Sequence, residues 1–334
     1  LHDNVVLYGL DADLIMLGLI HSRYCKSIYL YRETPEFIKQ LNRRLDPNKH
    51  YFLNIHIFKN EILQKMNHGE ITSNFQKNRL YDYIFLCFLL GNDFLPHFPA
   101  LNLRKNGMTT ILECYDNTIK KTTKSIIYKN NIQWPLFRKF ICGLIKHEEE
   151  LILADHPNKI IKLHKSCTTE EKLNRLPQYN KETEQIIQVG KTGWQERYYQ
   201  ELFYTEKTNQ LCESISHNYL EGLEWTFKYY TTGCCNWDWY YKWSYPPLLC
   251  DLYLHIPRKY KEFIKNNEHA VHPITQLAYV LPPEYYNLIP AKYRKQLSTL
   301  KQSNPEFQWA YCRYFWEAHI TSSFITIKEL DKIL

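Results

Sequence analysis

Two hydrophobic spacings organise the amino-terminal third of the chain. Val5-Val6-Leu7-Tyr8 is a short β-branched run, the pattern of a buried parallel strand, and from Leu14 onward the apolar positions take up helical spacing. Asp11 and Asp13 fall in the strand-to-helix turn between them. Ser27–Tyr31 and Tyr51–Ile57 predict two further strands, separated by a Pro- and charge-bearing loop from Glu33 to Lys49 with room for a short helix. Phe58 to Met66 reads as a helix and Asn67 to Phe75 as a polar loop. A nearly all-apolar helix through Leu80–Leu90 then stops at Gly91, where a C-cap glycine is expected, and Asp93 follows directly.

From Gln133 the periodicity is mostly helical. The helix through Trp134 and Ile145 runs into Glu148-Glu149-Glu150, whose side chains point in different directions and predict a solvated face. Asp155 to Glu184, rich in Lys, Thr, Asn and Pro, predicts a long surface loop. Aromatic residues recur at helical spacing over Tyr219–Tyr230, the mark of a core-facing helix. Gly233–Pro247, which carries Trp237, Trp239 and Trp243, is a loop because no helix continues into Pro246-Pro247. These patterns predict an α/β region over residues 1–115 and a mostly helical one over 116–334, with a polar loop near 155–184.

Composition narrows the chemistry only a little. The chain has 334 residues, with 42 Lys and Arg against 35 Asp and Glu; the net charge of +7 favours an anionic partner mildly. Aromatic content of 15% leaves rings to spare for base stacking. Ten cysteines at irregular spacing, with no C-x-x-C pair, indicate neither a zinc ribbon nor a disulfide framework and suit a reducing compartment. No apolar run is long enough to span a membrane, so an intracellular setting without membrane insertion is expected. The chain starts Leu1-His2 and enters a strand at once, which suggests a piece of a longer polypeptide.

The aspartates carry the candidate chemistry. Asp13 alone is an ordinary helix N-cap, and Asp93 alone an ordinary turn residue. Together, in apolar surroundings, Asp11, Asp13 and Asp93 form a set of like charges that needs a cation or a proton among them, and hard divalent cations bind such oxygen clusters.

Tyr8-Gly9-Leu10-Asp11-Ala12-Asp13-Leu14-Ile15-Met16-Leu17 and Phe88-Leu89-Leu90-Gly91-Asn92-Asp93-Phe94-Leu95-Pro96-His97 resemble the signature segments of the 5′-to-3′ exoribonucleases of the Xrn/Rat type, within the FEN-like nuclease superfamily. The Trp237–Pro247 block resembles the same family's helical region, as do His272–Pro283, Ile289–Arg294 and Phe315–Ala318, so the resemblance covers nearly the whole chain. It implies an α/β fold followed by mostly α: the end of a FEN/PIN-like parallel-sheet nuclease layer packed on a helical domain. It also implies Mg²⁺-dependent (or Mn²⁺-dependent) hydrolysis of single-stranded RNA bearing a 5′ monophosphate, releasing nucleoside monophosphates in cytoplasm or nucleus. Asp11, Asp13 and Asp93 would be the catalytic metal ligands, and Trp237 or Trp239 would stack on a base. Lys242 and Ser244 stand where the family commonly has proline and histidine, a departure that bears on the geometry of that loop. The family's remaining acidic ligands, its 5′-phosphate pocket and its stacking histidine match no segment here. The amino-terminal portion of the same protein is therefore the expected partner. The alternative is a non-catalytic module that binds RNA or protein on the exonuclease fold.

Overall fold

In a computed structural model, residues 2–9, 11–34, 42–69, 71–156, 168–267, 269–297, 306–321 and 325–334 are described. Leu10, and parts of the loops expected over Glu33–Lys49 and Asp155–Glu184, lie outside them. A small mixed sheet opens the chain. Strand β1 (His2–Tyr8) runs parallel to β2 (Cys25–Tyr31), with Val5 opposite Ile28 and Tyr8 opposite Tyr31. Strand β3 (Phe52–Asn54) pairs with β2 antiparallel, giving the order β1-β2-β3. The helix between the first two strands, α1 (Asp13–His21), buries Gly18, Leu19 and Ile20, and a side chain at Gly18 would crowd Ile55.

The expectation of a buried strand is corrected for β1. Ile28 and Leu30 of β2 face the core, but Val6 and Tyr8 are 57% and 65% exposed, because β1 is an edge of this sheet and its outward face is uncovered. The third strand is also shorter than expected. The chain turns into helix α2 (Ile55–Met66) where the Asn54 side chain accepts from the amides of His56 and Ile57, so Ile55–Ile57 are helical.

Helix α3 (Asn74–Cys87) starts in a capping box formed by Ser73 and Gln76 and continues as a 3₁₀ turn, Phe88–Leu90, to Gly91 at φ 90°. Its buried charged residues, Asp82 and Arg79, are held by hydrogen bonds. Asp82 accepts from the Tyr115 hydroxyl and from the amides of Ile126 and Ile127, while the Arg79 guanidinium donates to the carbonyls of Met66, Ile119, Lys120, Thr122 and Lys124. These bonds fix the helix that delivers Asp93 to its turn.

Helices α4 (Gly107–Thr118), α5 (Trp134–Leu144) and α6 (Glu148–Asp155) follow, with a two-residue hairpin of β4 (Ile127–Tyr128) and β5 (Asn131–Ile132) before α5. Part of the expected 155–184 loop is helical: α7 (Thr169–Asn174), α8 (Leu176–Tyr179) and α9 (Glu182–Ile187). Helix α10 (Trp194–Phe203) leads to α11 (Asn209–Thr231), whose 23 residues run through the centre of the helical body. Helix α12 (Leu249–His255) packs on α11. Glu148 corrects the expected solvated face: it is 6% exposed and its carboxylate caps α12 by accepting from the amides of Leu249 and Cys250. One apolar core runs from Leu19 to Tyr311 across position 115. Helices α13 (Pro273–Val280), α14 (Ala291–Leu297) and α15 (Ile327–Ile333) enclose a small second one.

Candidate nucleic-acid site

The strand-to-helix turn and the turn after α3 come together against the carboxyl end of α11. Asp13 is not the cap of α1: the N-cap position is Ala12, which makes no side-chain cap, and the Asp11 carboxylate accepts from the Asp13 amide at 3.0 Å across it. Asp13, the first helical residue, is half-buried with its carboxyl toward the Tyr230 hydroxyl. Asp93 sits in a turn braced by Asn92, whose Oδ1 accepts from the amides of Phe94 and Leu95 at 2.8 and 2.9 Å. The left-handed φ of Gly91, with His97 Cβ 3.0 Å from where a side chain would begin, makes glycine necessary for that turn.

Electrostatics tie the three aspartates together. Burial raises the Asp13 pKa most, the Tyr230 hydroxyl partly offsets this, and the charges of Asp11 and Asp93 raise it further. Burial also raises the Tyr230 pKa, with added contributions from Asp13, Asp93 and Asp11. Among the described residues no Lys, Arg or His forms an ion pair with any of the three. The carboxylates are nevertheless not drawn into a tight cage: the one trio of His, Cys, Asp or Glu whose ligand atoms all lie within 4.8 Å, among the described residues, is elsewhere. All three carboxylates are hard oxygen donors, the ligand type that Mg²⁺ takes.

The aromatic loop lies beside this acidic turn. Phe94 packs edge-on against Trp225 and Tyr229, with ring centroids 4.8 and 5.3 Å away, and Trp225 stacks between Tyr229 and Trp239. The structure thereby separates two tryptophans that are equivalent in sequence. Trp239 is partly buried, stacked 5.2 Å from Trp225 and pressed against Gly222, whereas Trp237 is 50% exposed. The Trp237 backbone is held by Asn267, and the Trp225 indole donates to the Asn236 carbonyl. Sequence reading missed Tyr230, Trp225 and Phe94 as neighbours of the aspartates. The Tyr229-Tyr230 pair at the end of a helical aromatic stripe was the available signal, and it looked like core.

A cavity of about 400 Å³ adjoins the Asn92 turn, lined in part by His97, Arg104, Trp316, Glu317 and His319. Arg104 pairs with Glu317 and lies over the Trp316 ring.

The described body is mostly helical, with the Asp93 turn beside Trp225 and Tyr229. The family described as the Xrn1 helical domain matches residues 74–186 and 152–308, and the chain belongs to that family. It is similar to 5'-3' exoribonuclease 2 of Arabidopsis thaliana (22% identical, covering 97% of this chain and 44% of the relative) and to the 5'-3' exoribonuclease 2 homolog of Drosophila melanogaster (23%, 88% and 41%). It is also similar to 5'-3' exoribonuclease 1 of Saccharomyces cerevisiae (23%, 97% and 30%). The chain thus spans less than half the length of these curated relatives.

Proposed function

We propose that this chain is part of a Mg²⁺-dependent 5′-to-3′ exoribonuclease acting on single-stranded RNA with a 5′ monophosphate. The observation that carries the reading is the convergence of Asp11, Asp13 and Asp93, each influencing the protonation of Tyr230, with no protein cation paired to them among the described residues. In this reading the three carboxylates hold the ion. An ion held there would lower the pKa of a bound water, the first of the two roles in a two-metal site. The Tyr230 hydroxyl steadies the Asp13 carboxylate, and the Asp11 carboxylate is oriented by its bond to the Asp13 amide. Trp237, exposed at the rim, stacks on a base of the incoming strand, worth about 1–3 kcal/mol. The names of the relatives support the reaction class; the amino-terminal portion of a family exoribonuclease would supply the remaining acidic ligands and the 5′-phosphate pocket.

The open spacing of the carboxylates favours the second reading, a non-catalytic module that binds RNA or protein. One experiment separates the two. Degradation of 5′-monophosphorylated single-stranded RNA is followed with Mg²⁺, using the chain alone and the chain joined to such an amino-terminal portion. Activity in the joined protein that disappears with Asp93→Ala supports the enzyme. A joined, folded protein without activity supports the binding module, and activity that survives Asp93→Ala overturns the ligand assignment.

A further inference from the structure

Helices α11 and α12 bring a second set of ligand-type side chains together, away from the aspartate turns. Glu213 and His217 are four residues apart on α11 and so share one face of it. His255 is the last residue of α12, at the carbonyl end of that helix, where positive charge is favoured. One carboxylate oxygen and one ring nitrogen from each histidine all lie within 4.8 Å of one another. The two rings meet edge to face, centroids 5.9 Å apart at 81°. Glu213 is exposed and the two histidines are half-buried, so the set is open to solvent on one side. None of the three side chains is used in a hydrogen bond or ion pair among the described residues.

Two imidazoles and a carboxylate are the donor set of borderline divalent ions, whereas Mg²⁺ and Ca²⁺ prefer oxygen throughout. We propose that Glu213, His217 and His255 bind one Zn²⁺ ion, with water completing a tetrahedron. The ion ties the carboxyl end of α12 to α11. The other end of α12 is already held by the Glu148 carboxylate on the Leu249 and Cys250 amides, so the short helix becomes fixed at both ends. The site is chemically distinct from the three aspartates, whose donors are all hard oxygens.

The test is a titration of the chelator-stripped full chain with Co²⁺, followed by its visible d–d absorption and then by displacement with Zn²⁺. The expected result is one equivalent bound with a tetrahedral spectrum, released by Zn²⁺ and unaffected by excess Mg²⁺. Glu213→Gln, at an exposed position, exchanges an anionic ligand for a neutral amide and is expected to weaken Co²⁺ binding measurably. His217→Ala combined with His255→Ala should abolish the band, while Asp93→Asn leaves it intact. Should the double variant unfold by circular dichroism, Glu213→Gln alone decides. The proposal is overturned by the absence of saturable one-equivalent binding, by unchanged affinity in Glu213→Gln, by a band that needs Asp93, or by thiolate-to-cobalt charge transfer, which would assign the ion to cysteines.

Discussion

Asp13 lives between two costs, partial burial and two neighbouring carboxylates, and Asp93 contributes one of the latter from eighty residues away in sequence. Asp93→Asn removes that charge. The metal-free protein is expected to melt at an unchanged or slightly higher temperature, and any rise in melting temperature on adding Mg²⁺ should be lost; scanning fluorimetry with and without Mg²⁺ reads both effects. The tryptophans divide in the same way, one change acting on binding and the other on folding. Trp237→Ala should weaken single-stranded RNA binding by about 1–3 kcal/mol in a fluorescence titration while leaving stability nearly unchanged. Trp239→Ala takes a ring out of the Trp225 stack, and a loss on the order of 3 kcal/mol in urea unfolding is expected. The aspartates stood out in the sequence because charge in apolar surroundings is conspicuous, and the structure places Asp11 and Asp93 near Asp13. Which tryptophan is free was not legible there, since both stand in one W-x-W and only the position of Trp225 on the neighbouring helix buries one of them.

At the level of elements, the glutamate run shows how a helix terminus can be stabilised from far along the chain. Glu148 lies 101 residues before the Leu249 amide it caps, and burial pushes its carboxyl up to about 7, although the Leu249 and Cys250 amides pull it down. An unfolded chain holds that proton only below about 4.3. The folded state therefore binds the proton more tightly, and the stability this gives is complete below the unfolded pKa and lost as pH rises through about 7. Glu148→Gln, which keeps an acceptor for the two amides, is expected to flatten the decline of the urea midpoint between about pH 4.3 and 7. An unchanged slope would remove Glu148 from the account. Helix spacing had marked α3, α5 and α11 correctly because a buried stripe repeats every turn. Ile55–Ile57 went the other way: its short apolar alternation suits either structure, and the Asn54 cap chose helix.

For the molecule as a whole, the sheet presents an aromatic face. Tyr8, Tyr31 and Phe52 lie side by side across the three strands, with centroids 5.6 and 4.9 Å apart, and Tyr8 and Phe52 are each more than half exposed. A contiguous apolar face of this kind promotes association. The double variant Tyr8→Lys, Phe52→Lys is expected to raise the monomeric fraction of the chain alone in size-exclusion chromatography, with its melting temperature lowered by no more than a few degrees. Equal elution of both proteins would show that this face is inert.

Local order along the chain settled the apolar-striped helices α3, α5 and α11, the strand-to-helix turn, the glycine stop before Asp93 and the family to which the chain belongs, since each depends on neighbours a few residues apart. The tertiary structure alone set Tyr230 against Asp13, turned Glu148 inward, left one tryptophan free and joined Glu213 and His217 to His255. These depend on which helix faces come to rest against one another, and packing fixes that only once the whole core has formed.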